Sequence, residues 1–169
     1  MNKILPALLS AAALLFAGAG SAQAATPTGT DYYFTPGSYL TITDHETFGA
    51  NEVKTFDLSN LYVGRITGQT SKLFKVSRCA GGEVRIDLEI TLKREDLNMN
   101  RFEVFAKMFE GASCNSDDYD GGAIDGWMNA FYTRPSLINS GAVVLDIANK
   151  YEGGDFAKTS FQLYGNAVY

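Results

Sequence analysis

Two stretches of alternating apolar and polar residues dominate the sequence. From Glu83 to Lys93 every apolar side chain is flanked by polar ones, and apolar residues recur at every second position from Phe102 to Met108. A period of two over this length is typical of a half-buried β-strand, because a helix would scatter the same residues around its circumference. The polar segment 95–100 between the runs predicts a long hairpin, with Ile90 opposite Val104.

Shorter segments rich in aromatic and β-branched residues surround this hairpin. Each is bounded by Gly, Asn, Asp or Pro, so the mature chain is expected to contain about nine strands and no helix. The last strand is predicted from Phe156 to about Tyr164. The short connections favour antiparallel pairing, and we expect an all-β fold, an antiparallel β-sandwich of jelly-roll or immunoglobulin-like type. It would be a single domain spanning 31–169, after a disordered segment at 25–30.

The first 24 residues have the pattern of a cleaved signal peptide. Lys3 supplies the basic start, an apolar run follows, and Ala22-Gln23-Ala24 has the small-x-small pattern of a cleavage site. The apolar run is shorter than the roughly 20 residues of a membrane-spanning helix. We therefore predict a secreted or periplasmic protein, and we do not expect it to be held in a membrane.

Cys79 and Cys114 are the only two cysteines. Exported chains mature in oxidising compartments, so the two are predicted to form a disulfide bond. They lie just outside the two ends of the predicted hairpin and would meet at its open end. Residues that face each other in the core of the hairpin have numbers that add to an even value, as 90 and 104 do, whereas 79 and 114 add to an odd value. A bulge or a twisted end of the hairpin is expected to absorb the extra residue.

The stretch from Cys114 to Trp127 concentrates carboxylates and glycines and is predicted to form one loop. Calcium ions prefer six to eight oxygen ligands, which closely spaced aspartates and backbone carbonyls supply. An EF-hand is not expected, because its twelfth position falls on Trp127 and no flanking helices are predicted. The candidate calcium ligands are Asp117, Asp118, Asp120 and Asp125, with Asp155 contributing from a second acidic turn if the two loops share one end of the sandwich.

Aromatic residues suggest a contact surface. Trp127 and Tyr119 border the acidic stretch and are candidates for ligand contact. Phe105 and Phe109 fall on the polar face of their strand, so either a second layer covers them or they mark a contact surface. The expected partner is a carbohydrate or a protein surface outside the cytoplasm.

Charge and residue content narrow the function further. The formal net charge of −5 becomes about −6 when the leader with Lys3 is removed, which argues against a nucleic acid partner. His45 is the only histidine, so a zinc site built on several imidazoles is excluded. No nucleophile elbow is present. We therefore expect a non-catalytic binding or adhesion-type module, with calcium as the candidate cofactor.

Two alternatives stay open. One is a secreted hydrolase that uses loop carboxylates. The other is a small outer-membrane β-barrel, because the final Tyr169 and the alternating Phe161, Leu163 and Ala167 resemble the terminal strand of that family. Lys72 and similar basic residues in the short early strands would be costly facing lipid, which disfavours this second alternative.

Overall fold

The fold is all-β and antiparallel, as predicted. A computed structural model describes residues 25–68, 70–95, 99–133, 137–151 and 154–169, with only the backbone described for 99, 127–133 and 137–139. Within these ranges the chain forms twelve strands and no helix. The strands are β1 Gly29–Phe34, β2 Tyr39–Asp44, β3 Glu52–Asp57, β4 Tyr62–Thr67, β5 Ser71–Ala80, β6 Val84–Arg94, β7 Met99–Phe109, β8 Tyr119–Thr133, β9 Leu137–Asn139, β10 Val143–Ala148, β11 Phe156–Phe161 and β12 Leu163–Val168.

The strands belong to two sheets that share one core. The large sheet has eight strands in the order β4-β1-β12-β9-β8-β7-β6-β5, and the small sheet has four in the order β10-β11-β2-β3. Leu40 and Leu145 of the small sheet join Ile90 and Val104 of the large sheet in a single cluster of buried hydrophobic residues. Burial of this apolar surface is the main force that holds the two sheets together.

The predicted hairpin is present with the predicted register. β6 pairs antiparallel with β7, and Ile90 lies opposite Val104. The apolar positions of both strands face the core and are at most 2% exposed. They are Val84, Ile86, Leu88, Ile90 and Leu92 on β6, and Phe102, Val104, Ala106 and Met108 on β7.

The last predicted strand is in fact two strands in different sheets. β11 ends at Phe161 in the small sheet and β12 begins at Leu163 in the large one, so the chain changes sheets at Gln162. The Gln162 carbonyl accepts a hydrogen bond from the Thr35 amide, 2.9 Å away, at the neighbouring corner between β1 and β2. Phe161 and Leu163 are both buried and Gln162 is exposed, so the alternating pattern continues through the corner without a break. Such corners raise the number of strands above the nine or so that were expected.

The segment that follows the predicted leader becomes strand earlier than expected. β1 begins at Gly29, so Gly29 and Thr30 are part of the sheet although they were predicted to be disordered. The strand pairs with β12 on one side and β4 on the other, and Thr30 is 1% exposed. The amide of Thr28 also donates to the Val168 carbonyl at 2.7 Å. Small polar residues are held here by backbone pairing on both sides, which composition alone does not reveal. The predicted leader, 1–24, lies outside the described residues.

The disulfide bond between Cys79 and Cys114 is present, with Cα atoms 5.8 Å apart. Its position differs from the expectation of two strand extensions meeting at the open end of the hairpin. Cys79 lies within β5, opposite Arg85 of β6, and Arg85 lies opposite Phe109 of β7. The bond therefore reaches across β6 from β5 to the loop after β7. The odd sum of the residue numbers needs no bulge, because Cys79 is on a neighbouring strand.

Candidate functional site

The acidic stretch is half loop and half strand. The irregular segment ends at Asp118, and β8 begins at Tyr119, so Asp120, Asp125 and Trp127 lie in a strand and not in the single loop that was predicted. Gly121 shows why a glycine-rich composition did not produce a loop here. A Cβ on Gly121 would lie 2.3 Å from the Ala148 carbonyl oxygen, so this glycine permits close approach of two segments and does not mark a turn.

Asp117 and Asp118 lie on the solvent side of the irregular segment. The Asp117 side chain is fully exposed, with one carboxylate oxygen 3.9 Å from Nη2 of Arg85. The amide of Asp118 donates to the Ser116 hydroxyl at 3.1 Å, which fixes the turn but leaves the Asp118 side chain exposed. The pair of Asp117 with Arg85 is screened by solvent and contributes little to stability.

Asp120 has a structural role. It is 6% exposed, and its Oδ2 accepts a hydrogen bond from the Glu110 amide at 2.8 Å. Its backbone carbonyl accepts a second hydrogen bond from the amide of Lys150, also at 2.8 Å. The acidic segment and the turn after β10 therefore share one end of the fold, which was the condition for Asp155 to contribute a ligand.

The remaining candidate ligands are separated. Asp125 lies on β8 opposite Val104, whereas Asp155 is 6% exposed and accepts a hydrogen bond from the His45 amide at 2.7 Å. No group of three or more His, Cys, Asp or Glu side chains in the described ranges is arranged to hold a metal ion. The calcium site at 114–127 stays a prediction.

The two candidate contact residues differ in what the structure describes. Tyr119 is 41% exposed, and its ring contacts Phe109 edge to face with centroids 5.9 Å apart. Trp127 lies on β8, and its side chain is outside the described part of the chain. Arg85 also contacts Phe109, with its guanidinium carbon 4.4 Å from the centre of the Phe109 ring. Phe109 is thus partly covered by a cation and an aromatic ring.

An apolar hollow on the outer face of the large sheet was not singled out by sequence reasoning. Leu73 and Ile124, on β5 and β8, are 61% and 63% exposed. Between them lies Phe105, which is half-buried and has the Lys107 ammonium 5.2 Å from its ring centre. These residues border an outer hollow of about 240 Å³, lined by Leu73, Glu89, Thr91, Glu103, Phe105 and Ile124. The only signal in the sequence was Phe105 on a polar face.

The two carboxylates that line the outer hollow, those of Glu89 and Glu103, differ in their ion pairing. Glu89 forms an ion pair with Lys107, with Nζ 2.8 Å from the carboxylate. Glu103 forms no ion pair with any side chain that the structure describes. The hollow therefore combines exposed apolar side chains with a carboxylate, that of Glu103, which has no ion pair among the described side chains.

A second group of carboxylates lies at the end of the small sheet. Asp44, the last residue of β2, is 4% exposed, and its Oδ2 has no hydrogen-bond partner among the described residues. Burial, together with the charges of Asp155, Glu46 and other nearby carboxylates, raises the pKa of Asp44 to about 6. The neighbouring His45 was considered only as a zinc ligand, and nothing in the sequence indicated that Asp44 would be buried.

Comparisons with protein-family models, with curated proteins and with solved structures found no match to this chain. Among the described residues, no helix is long and apolar enough to cross a membrane. The disulfide bond is the feature that points to a compartment outside the cytoplasm.

Proposed function

We propose that the protein is an exported, non-catalytic binding module whose two sheets form a sandwich and whose outer hollow contacts a partner protein. The observation that carries the proposal is the pair of exposed side chains, Leu73 and Ile124, on either side of Phe105. Isolated exposed apolar residues are common, but apolar residues grouped around a concave site are typical of contact surfaces. Export is supported by the leader-like residues 1–24 and by the disulfide bond.

The charge at the rim indicates the chemistry of the partner. Glu103 has no ion pair among the described residues, and the whole chain is acidic, with a formal net charge of −5. A partner segment that alternates apolar and basic side chains would fill the floor and pair with Glu103. A sugar would be the other expected class of partner, since Glu89, Thr91 and Glu103 offer hydrogen-bonding groups beside the Phe105 ring. The large exposed apolar surface of Leu73 and Ile124 favours a protein.

The test uses the mature chain, 25–169, and two synthetic peptides. One peptide alternates leucine with lysine and the other alternates leucine with glutamate. We expect the lysine peptide to shift the amide NMR signals of Leu73, Glu103 and Ile124, and the glutamate peptide to leave them unchanged. A soluble oligosaccharide mixture forms a third arm, and shifts produced by sugar alone would replace the protein partner with a carbohydrate.

Surface variants locate the binding. Leu73→Ser and Ile124→Ser should each weaken binding of the lysine peptide several-fold, because each removes apolar area from the contact. Val144→Ser is the matched control, since Val144 is 54% exposed but lies on β10 in the small sheet. If all three variants bind the lysine peptide with the same affinity, the proposal is wrong.

A further inference from the structure

The last strand of the small sheet, β3, has an open edge. It lies at the end of the order β10-β11-β2-β3, and among the strands that the structure describes it pairs with β2 alone. The pairing runs from Glu52 to Asp57 without a bulge, and every residue of the strand is exposed except Phe56, which is half-buried. Bulges and prolines keep edge strands from pairing with another chain, and β3 has neither.

The other three sheet edges lie close to neighbouring strands. β4 and β5, the two edges of the large sheet, approach each other, since a Cβ on Gly64 would lie 1.9 Å from the ring of Phe74. β10, the other edge of the small sheet, lies against β8, since a Cβ on Gly121 would lie 2.3 Å from the Ala148 carbonyl oxygen. β3 is therefore the edge to which another chain can most readily add a strand.

Two opposite charges that lack ion pairs lie along β3. Glu52 and Lys54 are exposed, and neither forms an ion pair with any side chain that the structure describes. They are two residues apart, so they lie on the same face of the strand. Glu52 lies opposite Asp44 of β2, which is also acidic, and the Lys54 ammonium lies 5.2 Å from the ring centre of Phe56. A lysine on an edge strand normally opposes pairing, but here a carboxylate at the right spacing can compensate it in a second copy.

We propose that β3 pairs antiparallel with β3 of a second copy of this chain, with Val53 opposite Val53 of that copy. This register also places Glu52 of each copy opposite Lys54 of the other, so a two-fold axis forms two reciprocal ion pairs. Moving the axis to Lys54 would oppose the two lysines. Moving it to Thr55 would leave Glu52 without a cation.

The pairing joins two four-stranded sheets into one continuous sheet. It covers Val53, which is 62% exposed, and it gives the edge of β3 backbone hydrogen-bond partners. A strand of six residues buries less than the roughly 1,200 Å² of a standard interface, so the dimer should be weak and reversible. The inference does not depend on the outer hollow, which is lined by residues of the large sheet.

Cysteine cross-linking of the mature, oxidised chain tests the register. Directly opposed residues have Cα atoms about 4.5–5.5 Å apart, within reach of a disulfide bond. Val53→Cys should therefore form a covalent dimer faster than the matched control Thr55→Cys, whose two Cα atoms would be about 13 Å apart. Thr55 is exposed on the same face of the same strand, and non-reducing electrophoresis measures the dimer. If Val53→Cys forms no covalent dimer, or forms one no faster than Thr55→Cys, the proposal is overturned.

Charge reversal tests the two ion pairs. Glu52→Lys and Lys54→Glu each oppose like charges, so each should weaken self-association about ten-fold or more in analytical ultracentrifugation. An equimolar mixture of the two variants opposes unlike charges again and should associate as tightly as the wild type. Asp146→Lys on β10 is the control, since Asp146 is exposed and lies at the far side of the small sheet, and it should leave association unchanged. Single variants that associate like the wild type, or a mixture that stays monomeric, would show that β3 is not the interface.

Discussion

The ammonium nitrogen of Lys75 lies 2.6 Å from the carboxylate of Asp87, a side chain with no exposed surface. Nε of Arg85 lies 3.3 Å from the other carboxylate oxygen. Asp87 is on the outer face of β6, where the alternating pattern places a polar residue, yet it is as inaccessible as the core. Two cations from the same face cover it, so its charge is compensated although it is removed from water.

Replacing Lys75 with methionine should lower the free energy of unfolding by about 1–3 kcal/mol. The cost is less than for a fully buried pair, because Lys75 is half exposed and Arg85 still faces Asp87. Urea denaturation measures the change. Lys72→Met is the matched control, since Lys72 is exposed on the same strand and should change stability by no more than about 0.5 kcal/mol.

A double-mutant cycle identifies the cause of that loss. If the loss comes from an uncompensated carboxylate, adding Asp87→Asn to Lys75→Met should recover part of the stability. If the two changes add independently, Lys75 stabilises the sheet through its aliphatic chain and the ion pair contributes nothing.

The hairpin was predictable because one rule governs its whole length. Every second residue of β6 faces the core, so period, strand type and the pairing of Ile90 with Val104 follow from sequence. The corner at Gln162 was not predictable, because Phe161 and Leu163 keep the same alternation while the chain passes from one sheet to the other. Periodicity reports which residues are buried, and it does not report which sheet they belong to.

The candidate sites were harder to predict for a related reason. Glycines and aspartates in 114–127 have the composition of a loop, but Gly121 is required by the close approach of the Ala148 carbonyl to β8. Conversely, Asp44 and Asp155 are far apart in sequence and become neighbours only through the pairing of β2 with β11. Composition predicts local turns, whereas a cluster of residues from neighbouring strands depends on a register that the sequence does not display.

Removing the disulfide bond should lower the free energy of unfolding by about 3–4 kcal/mol. The bond closes a loop with a sequence separation of 35, for which the loop-entropy relation gives this magnitude. The change is Cys79→Ala with Cys114→Ala, measured by urea denaturation. The Cys114 carbonyl also accepts a hydrogen bond from Nη1 of Arg85 at 2.7 Å, so loosening of the loop should weaken this contact as well.

A reductant supplies the control for the disulfide prediction. Dithiothreitol should destabilise the wild type by a similar amount and leave the double alanine variant unchanged. Equal stability of the oxidised wild type and the variant would show that the loop is held by its hydrogen bonds alone.

Gly64→Ala should destabilise the fold by about 1–3 kcal/mol. A Cβ at this position in β4 would lie 1.9 Å from the ring of Phe74 in β5, at the place where the two edge strands of the large sheet approach. Thermal unfolding measures the loss. Phe74→Leu shortens the obstructing side chain, so the double variant should be less destabilised than the two single changes added together. Strict additivity would mean that the ring moves aside without cost.

Acid should destabilise the fold through Asp31. Its carboxylate accepts two hydrogen bonds of 2.7 Å from Arg65, and these bonds, followed by the charge of Arg65, lower the pKa of Asp31. A carboxyl group with a lowered pKa contributes stability above its unfolded pKa of about 3.8, and this stability is lost as the pH falls through its folded value. Comparison of Arg65→Gln with the wild type by urea denaturation should therefore show the largest difference near neutral pH and a smaller one in acid.

Acid should stabilise the fold through Asp44. Its pKa is raised from 3.8 to about 6, first by burial and then by the charge of Asp155, so the folded state binds the proton more tightly than the unfolded chain. The contribution of Asp44 to stability should fall as the pH rises from about 4 to about 6 and stay constant above that, by up to about 3 kcal/mol in total. The asparagine of the Asp44→Asn variant carries no charge, so the stability of this variant should not fall between pH 4 and pH 6 for this reason. The variant should therefore be more stable than the wild type at neutral pH. Parallel pH profiles for wild type and Asp44→Asn would mean that Asp44 ionises in the fold as easily as in water, and that its burial leaves a path for solvent.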